Sequence, residues 1–315
     1  MNLPSNIKAH SAVIWRGAAV GVVIVIGVLG TSVWLNRHYS PRSEQARLQT
    51  QVSQLSAQLD QLKREQTMPA MVLTRYRNSI CYIYGVYHVG YPGERPGLRA
   101  RISGTGFVVG DHMVVTNRHV AEPWYQDPES DALIRLGATP VLEKLIAFFP
   151  GAPTPVNITP AVLSANTDLA VVRLEGTPAN NPLDPLPLAD SIPPPGDLVT
   201  VIGYPMGVAG MVAKSPTAIY ERLAYRHDDI GAANELAALA LIRPSATVGH
   251  LGDVVADKLI YDAPTAHGGS GGPVFDSRGQ VIGVNAAYLD GFSGGTLGVS
   301  VQSLRQLIAA ASSKH

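Results

Sequence analysis

A single cysteine, Cys81, stands in 315 residues. That excludes an internal disulfide framework and any cysteine-rich zinc module. Neither charge is in excess, with 24 Lys and Arg against 24 Asp and Glu. A nucleic-acid-binding protein usually carries a clear basic surplus, and an acidic disordered chain the reverse. Charged residues make up only 15% of the chain, below the ~25% of typical soluble chains. The histidines offer no metal spacing: His88, His112, His227 and His250 stand apart, with nothing like an H-E-x-x-H pair. No period of roughly 20–50 residues recurs, so a solenoid is excluded. No metal, cofactor or nucleic-acid partner is expected.

Hydrophobic residues and chain-turning residues are plentiful. The first make up 46% of the chain, enough for a sizeable core. There are 31 glycines and 24 prolines, against roughly 38 of the two together at average usage. Such a chain favours short strands and turns over a helix bundle.

The N-terminal part is organised differently from the rest. Residues 17–36 carry no charge and are bracketed by Trp15 and Trp34. Twenty helical residues span about 30 Å, the hydrocarbon thickness of a bilayer. The run is too long for the apolar part of a signal peptide and has no A-x-A-like cleavage site after it. It predicts a transmembrane anchor, with residues 1–16 as a cytoplasmic tail. Lys8 and Arg16 precede it and Arg37, Arg42 and Arg47 follow it, so the flanking charge does not orient it. Leu48, Val52, Leu55, Leu59 and Leu62 then repeat at heptad spacing. That seam predicts a helical stalk over residues 43–66, with homo-oligomerisation through it as one reading and a solvated spacer as the other. Pro69 is expected to end the helix.

The remainder, residues 69–315, reads as short β runs: Ile80–Tyr87, Gly106–Val109, Met113–Thr116, Leu169–Leu174, Leu198–Ile202, Val274–Asp276 and Val281–Asn285. Two stretches look helical, Ala232–Ile242 and Gln302–Ala311. Between them and the early strands, residues 180–196 hold six prolines and read as a linker joining two halves. Cys81 falls in a predicted strand and is expected to be a small buried core residue.

Three motifs carry chemistry. Gly268-Gly269-Ser270-Gly271-Gly272-Pro273 presents a serine on a loop free to turn sharply, with small neighbours whose amides could converge on an oxyanion. Val114–Val120 ends an apolar strand in a polar turn that presents His119. Thr167–Leu174 opens a strand with Asp168. Each alone is weak, but together they stand in the order His, Asp, Ser. An α/β-hydrolase needs the acid and the histidine after the serine, and the only histidine after Ser270 is His315. The remaining order is that of chymotrypsin.

The stretches GTGFVVGDHMVVTNRHV, NTDLAVVRL, VTVIGYPMG, YDAPTAHGGSGGPVFD and GQVIGVNAAY resemble the trypsin-like serine endopeptidases, in particular the disulfide-free HtrA/Deg-like branch. The resemblance covers roughly residues 75–308. It implies an all-β, chymotrypsin-like double β-barrel, with a first barrel over about 75–180 and a second over about 197–305. The expected whole is that barrel pair preceded by one transmembrane helix and a short coiled-coil-like helix. The resemblance further implies Ser270 as nucleophile, His119 as general base and acid, and Asp168 as its orienting partner. It places the oxyanion hole at the amides of Gly268 and Ser270. Substrate is expected as an extended strand beside Asn285, Ala286 and Ala287, with Pro264, Thr265 and Ala286 lining an uncharged first specificity pocket. The partners expected are protein or peptide substrates, on the periplasmic or extracytoplasmic side of a membrane.

The pattern is departed from in four places. Gly269 stands where the family usually has Asn or Asp. Insertions fall at about residues 122–160 and 219–243. No PDZ domain is expected after the second barrel. Because of Gly269 and the two insertions, a second reading stays open: a tethered peptide-binding domain with weak or no catalysis.

Overall fold

The chain divides into two units, Met1–Lys63 and Arg64–His315. A computed structural model describes residues 6–38, 41–93, 99–110, 112–179, 181–288 and 295–312; the side chains of 6–19, 37, 38, 41–43, 64, 287 and 288 lie outside that description. Helix α1 is Asn6–His38 and helix α2 is Pro41–Tyr76. Among the described residues no helix is long and apolar enough to cross a membrane. The anchor expected over 17–36 therefore finds no support there. Its first three side chains, and those of the tail expected over 1–16, lie outside the description. The seam residues Leu48, Val52, Leu55, Leu59 and Leu62 are all exposed on α2, and nothing among the described residues covers them.

Pro69 does not end its helix, contrary to expectation; α2 continues to Tyr76. A proline inside a helix costs about 3 kcal/mol through its missing N–H and ring clash. Met68 and Val72 flank it and are buried in the core of the second unit. Burying two such side chains returns about 1.5–3 kcal/mol each. Tyr76 adds a parallel stack on Phe275, with ring centroids 5.7 Å apart. Tertiary packing outweighs the local break.

The first barrel is built from β1 (Ile80–Gly90), β2 (Ala100–Gly110), β3 (Met113–Thr116), β4 (Thr139–Phe148), β5 (Val156–Leu163) and β6 (Ala170–Leu174). It closes in the order β1-β2-β3-β6-β5-β4. One-turn α3 (Arg118–Ala121) and α4 (Pro128–Arg135) lie between β3 and β4. Helix α4 starts where the Asp127 carboxylate accepts the Ser130 N–H.

The second barrel comprises β7 (Leu198–Gly203), β8 (Ser245–Val255), β9 (Lys258–Tyr261), β10 (Pro273–Phe275), β11 (Val281–Tyr288) and β12 (Thr296–Ser300), closing as β10-β11-β12-β9-β8-β7. Three helices, α5 (Gly207–Ala213), α6 (Thr217–Leu223) and α7 (Asp229–Ala238), are inserted between β7 and β8, and α8 (Val301–Ser312) ends the described chain. The insertion is longer than its sequence suggests. Its one anticipated helix starts earlier, because Asp228 caps it by accepting the Gly231 N–H.

Strand alternation explains how one sequence fills two kinds of core. On β1, Cys81 and Ile83 point into the first barrel with Val114, Ala147 and Val172. Their neighbours Ile80, Tyr82 and Tyr84 point into a second cluster with Phe107, Ile202, Tyr204, Phe275 and Leu304, the seam where the two barrels and α8 meet. A strand buried on both faces reads as a continuous apolar run, as Ile80–Tyr87 does. The proline-rich stretch is stitched to both barrels: the Leu186 N–H bonds the Val108 carbonyl at 2.9 Å, and the Val281 N–H bonds the Pro187 carbonyl at 2.8 Å.

Cys81 is fully buried, and its burial pushes the thiol up to about 12. At pH 8 only about one molecule in 10⁴ would carry a thiolate. Iodoacetamide is therefore expected to leave the folded protein unmodified and to alkylate Cys81 stoichiometrically after unfolding, as read by intact mass. Alkylation before unfolding would contradict the packing described.

Candidate active site

His119 sits in the first turn after β3. Asn117, extended at φ −74°, ends the strand and starts α3. Its side-chain amide does not cap that helix but donates to the Asp168 carbonyl at 2.7 Å. Arg118 donates to the Ser164 carbonyl at 2.8 Å. The two residues before His119 thus clip the turn that holds Asp168 and leads into β6. That turn is closed by bonds of its own, including Ser164 N–H to the Leu169 carbonyl at 2.9 Å.

The Asp168 carboxylate engages His119 twice. One oxygen accepts the His119 backbone N–H at 3.0 Å and the other meets ring Nδ1 at 2.7 Å. An ionised carboxylate only accepts, so Nδ1 carries the hydrogen, and in a neutral ring that leaves the lone pair on Nε2. Both side chains are partly exposed, at 31% and 22%, so the ring is open to a ligand.

Ser270 lies on the loop between β9 and β10. Gly268 and Gly271 adopt φ +90° and +88°, a region open to glycine at little cost. A Cβ on Gly268 would lie 2.5 Å from the Tyr204 carbonyl oxygen, and one on Gly271 would collide with the Thr105 carbonyl and the Thr116 hydroxyl. The same contacts bring the serine loop against the end of β3, the strand that leads into the turn carrying His119.

Four consecutive carbonyls of this loop are held. His267 O accepts the Met206 N–H at 2.6 Å. Gly268 O accepts the Thr105 hydroxyl at 2.7 Å. Gly269 O accepts Asn285 Nδ2 at 2.9 Å, and Ser270 O accepts the Thr105 N–H at 2.7 Å. A trans peptide points its C=O and N–H in opposite directions. Anchoring the carbonyls of His267 and Gly269 therefore turns the N–H groups of Gly268 and Ser270 the other way. Met206 takes up a left-handed conformation, φ +62°, to present its amide to His267, the kind of strain that persists only where neighbouring structure enforces it.

Asn285 braces the serine loop from β11. Its N–H donates to Gly272 O at 2.8 Å and its carbonyl accepts the Gly271 N–H at 2.8 Å. Its side chain bonds Thr265, Gly269 and Tyr261. Both main-chain groups thus bond the serine loop. Ala286 follows at a β-bulge, where the register of β11 on β12 slips between Asn285 and Ala287. Its carbonyl accepts the Ser270 hydroxyl at 2.9 Å. Pro264 and Thr265 line a small hollow with Val201, Thr247 and Gly269, and Ala286 is not among its walls. Ala287 is placed only by its backbone, opposite Leu297.

Sequence reasoning missed Thr105, Met206, Asn117 and Arg118. All lie inside the motif stretches GTGFVV, YPMG and TNRHV, but none has a residue type that signals a role.

The sequence profile of the trypsin-like peptidase domain matches residues 104–284, more than half of the chain. The chain is 29% identical over 208 residues to a probable periplasmic serine endoprotease DegP-like of Brucella suis, covering 65% of this chain and 31% of that protein. It is 30% identical over 204 residues to the protein of the same description in Bartonella henselae, covering 64% and 31%. The chain thus spans about a third of the length of these curated relatives. Among solved structures, the active form of the Rv3671c protease of M. tuberculosis superposes with a TM-score of 0.50 at 17% identity, covering 76% of this chain and 82% of that one, a likeness of fold.

Proposed function

The chain belongs to the trypsin-like peptidase family, and from that premise we propose that it is a serine endopeptidase of the HtrA/Deg type, hydrolysing peptide bonds in protein substrates. The observation that carries the reading is the pair of hydrogen bonds between Asp168 and His119, at 3.0 and 2.7 Å. It fixes the tautomer that a general base needs. Ser270 Oγ attacks the scissile carbonyl as His119 Nε2 takes its proton; His119 then protonates the leaving amine, and water hydrolyses the acyl-enzyme by the same steps. The amides of Gly268 and Ser270 bind the oxyanion, at about 3–4 kcal/mol per donor.

In this structure the Ser270 hydroxyl points at Ala286 O. A substrate strand laid along β11 offers its own N–H to that carbonyl, which frees the hydroxyl to turn to His119. The alternative, a peptide-binding domain with little catalysis, rests on the same serine-to-Ala286 bond and on Gly269. A fluorophosphonate probe and an unfolded protein substrate separate the two. The peptidase labels once per chain and yields fragments; a folded chain that does neither is the binding module.

Placement outside the cytoplasm is supported by the relatives, which are described as periplasmic. The uncharged run over residues 17–36 supports tethering to a membrane, and the leucine seam over 43–66 supports pairing with a second copy of the chain.

A further inference from the structure

We propose that Thr105, a residue of the first barrel, is a positioning residue for the oxyanion-binding amides of the second; the inference rests on the proteolytic reading above. Residues 268–272 include four glycines and only one side chain, that of Ser270. Such a loop has no conformational preference of its own, so its shape is imposed from outside. Gly269 has no side chain that could anchor it from within.

Thr105 lies on β2 and is completely buried. Its hydroxyl donates to Gly268 O at 2.7 Å and accepts the Tyr204 N–H at 3.0 Å. The first bond holds the peptide plane between the two oxyanion donors. The second holds the turn at residues 204–207, closed by the Gly207 N–H on the Tyr204 carbonyl at 2.9 Å. That turn presents Met206 to His267 O. The Thr105 N–H in turn binds Ser270 O, and Thr116 holds the Thr105 carbonyl at 2.7 Å. One hydroxyl therefore joins both supports of the Gly268 amide, and it comes from the barrel that carries His119. The geometry of the hole is tied to the docking of the barrels.

Thr105→Val keeps the shape and removes the hydroxyl; Thr105→Ser restores it. The readouts are kcat and KM on a peptide substrate, counted per site titrated with fluorophosphonate, and affinity for a peptide aldehyde whose hemiacetal oxygen occupies the hole. Thr105→Val is expected to lower kcat about 100-fold, the lower end for losing an oxyanion donor. Its KM stays close to wild type, and aldehyde affinity falls in step with kcat. Thr105→Ser stays within a few-fold of wild type.

Unchanged kcat in Thr105→Val overturns the inference alone, provided that the wild type is active. So does a loss seen only as fewer titratable sites, or a Thr105→Ser variant as impaired as Thr105→Val. A folded wild type that neither labels nor cleaves overturns the proteolytic reading and this inference with it. If Thr105→Val does not fold, Thr105→Cys takes its place against Thr105→Ser, the thiol being a weak donor, with the same outcomes.

Discussion

Ser270→Ala is expected to lower kcat by as much as about 10⁶, to abolish fluorophosphonate labelling, and to leave the fold untouched. The loop around Ser270 is held through main-chain carbonyls that do not involve its side chain. Among the described residues the hydroxyl bonds Ala286 O, and a hydrogen bond of this kind contributes about 0.5–1.5 kcal/mol net. The melting temperature should therefore move by only about 1–6 °C. Activity and stability thus separate cleanly: the variant melts cooperatively near wild type and does not hydrolyse. His119→Ala should lose activity on the same scale, and the double variant little more, because nucleophile and base act as a unit. Labelling that survives Ser270→Ala would move the nucleophile elsewhere and overturn the site.

Asp168→Asn should follow with a fall in kcat of about 10⁴ at nearly unchanged KM. The substitution preserves size but replaces one acceptor with a donor. If its oxygen keeps the His119 backbone N–H, its NH₂ faces ring Nδ1. Two donors cannot share that 2.7 Å contact, so the ring takes the other tautomer and Nε2 loses the lone pair that accepts the serine proton. Substrate contacts along β11 are untouched, which is why the loss belongs in kcat. The measurement is steady-state kinetics on a peptide substrate, beside circular dichroism to show that the barrels persist. Equal losses in the two parameters, or none, would remove Asp168 from the role given to it.

Much of this site is legible in the linear sequence because its chemistry needs rare residue types in a particular order. A histidine after an apolar strand, an aspartate before one, and a serine framed by glycines are local patterns. Their order excludes the α/β-hydrolase arrangement without any coordinates. Some strands are legible too, β1 above all, since both its faces are buried and the run from Ile80 is apolar without a break; β4, β5, β8, β9 and β12 are not among the runs that the sequence shows. Thr105 is not. It is one polar residue between two glycines, more than 160 positions before the loop that it holds. Asn285 reads as part of a substrate strand, and only its hydrogen bonds show that it also holds the serine loop. Pro69 misleads for a related reason: local rules weigh the broken helix bond and omit the burial of Met68 and Val72.

By itself, then, the sequence determined a chain of short strands and turns with a His, Asp, Ser series, and its family resemblance implied the two barrels. Strand alternation, turn residues and the order of reactive groups are properties of neighbouring positions. Tertiary structure alone decided which way the amides of Gly268 and Ser270 point, where the serine hydroxyl rests, and that α2 runs through its proline. Those outcomes depend on groups brought together from distant parts of the chain, Thr105 with Gly268, Met206 with His267 and Tyr76 with Phe275. A peptide plane in a glycine loop turns at little cost, so only such contacts set its direction.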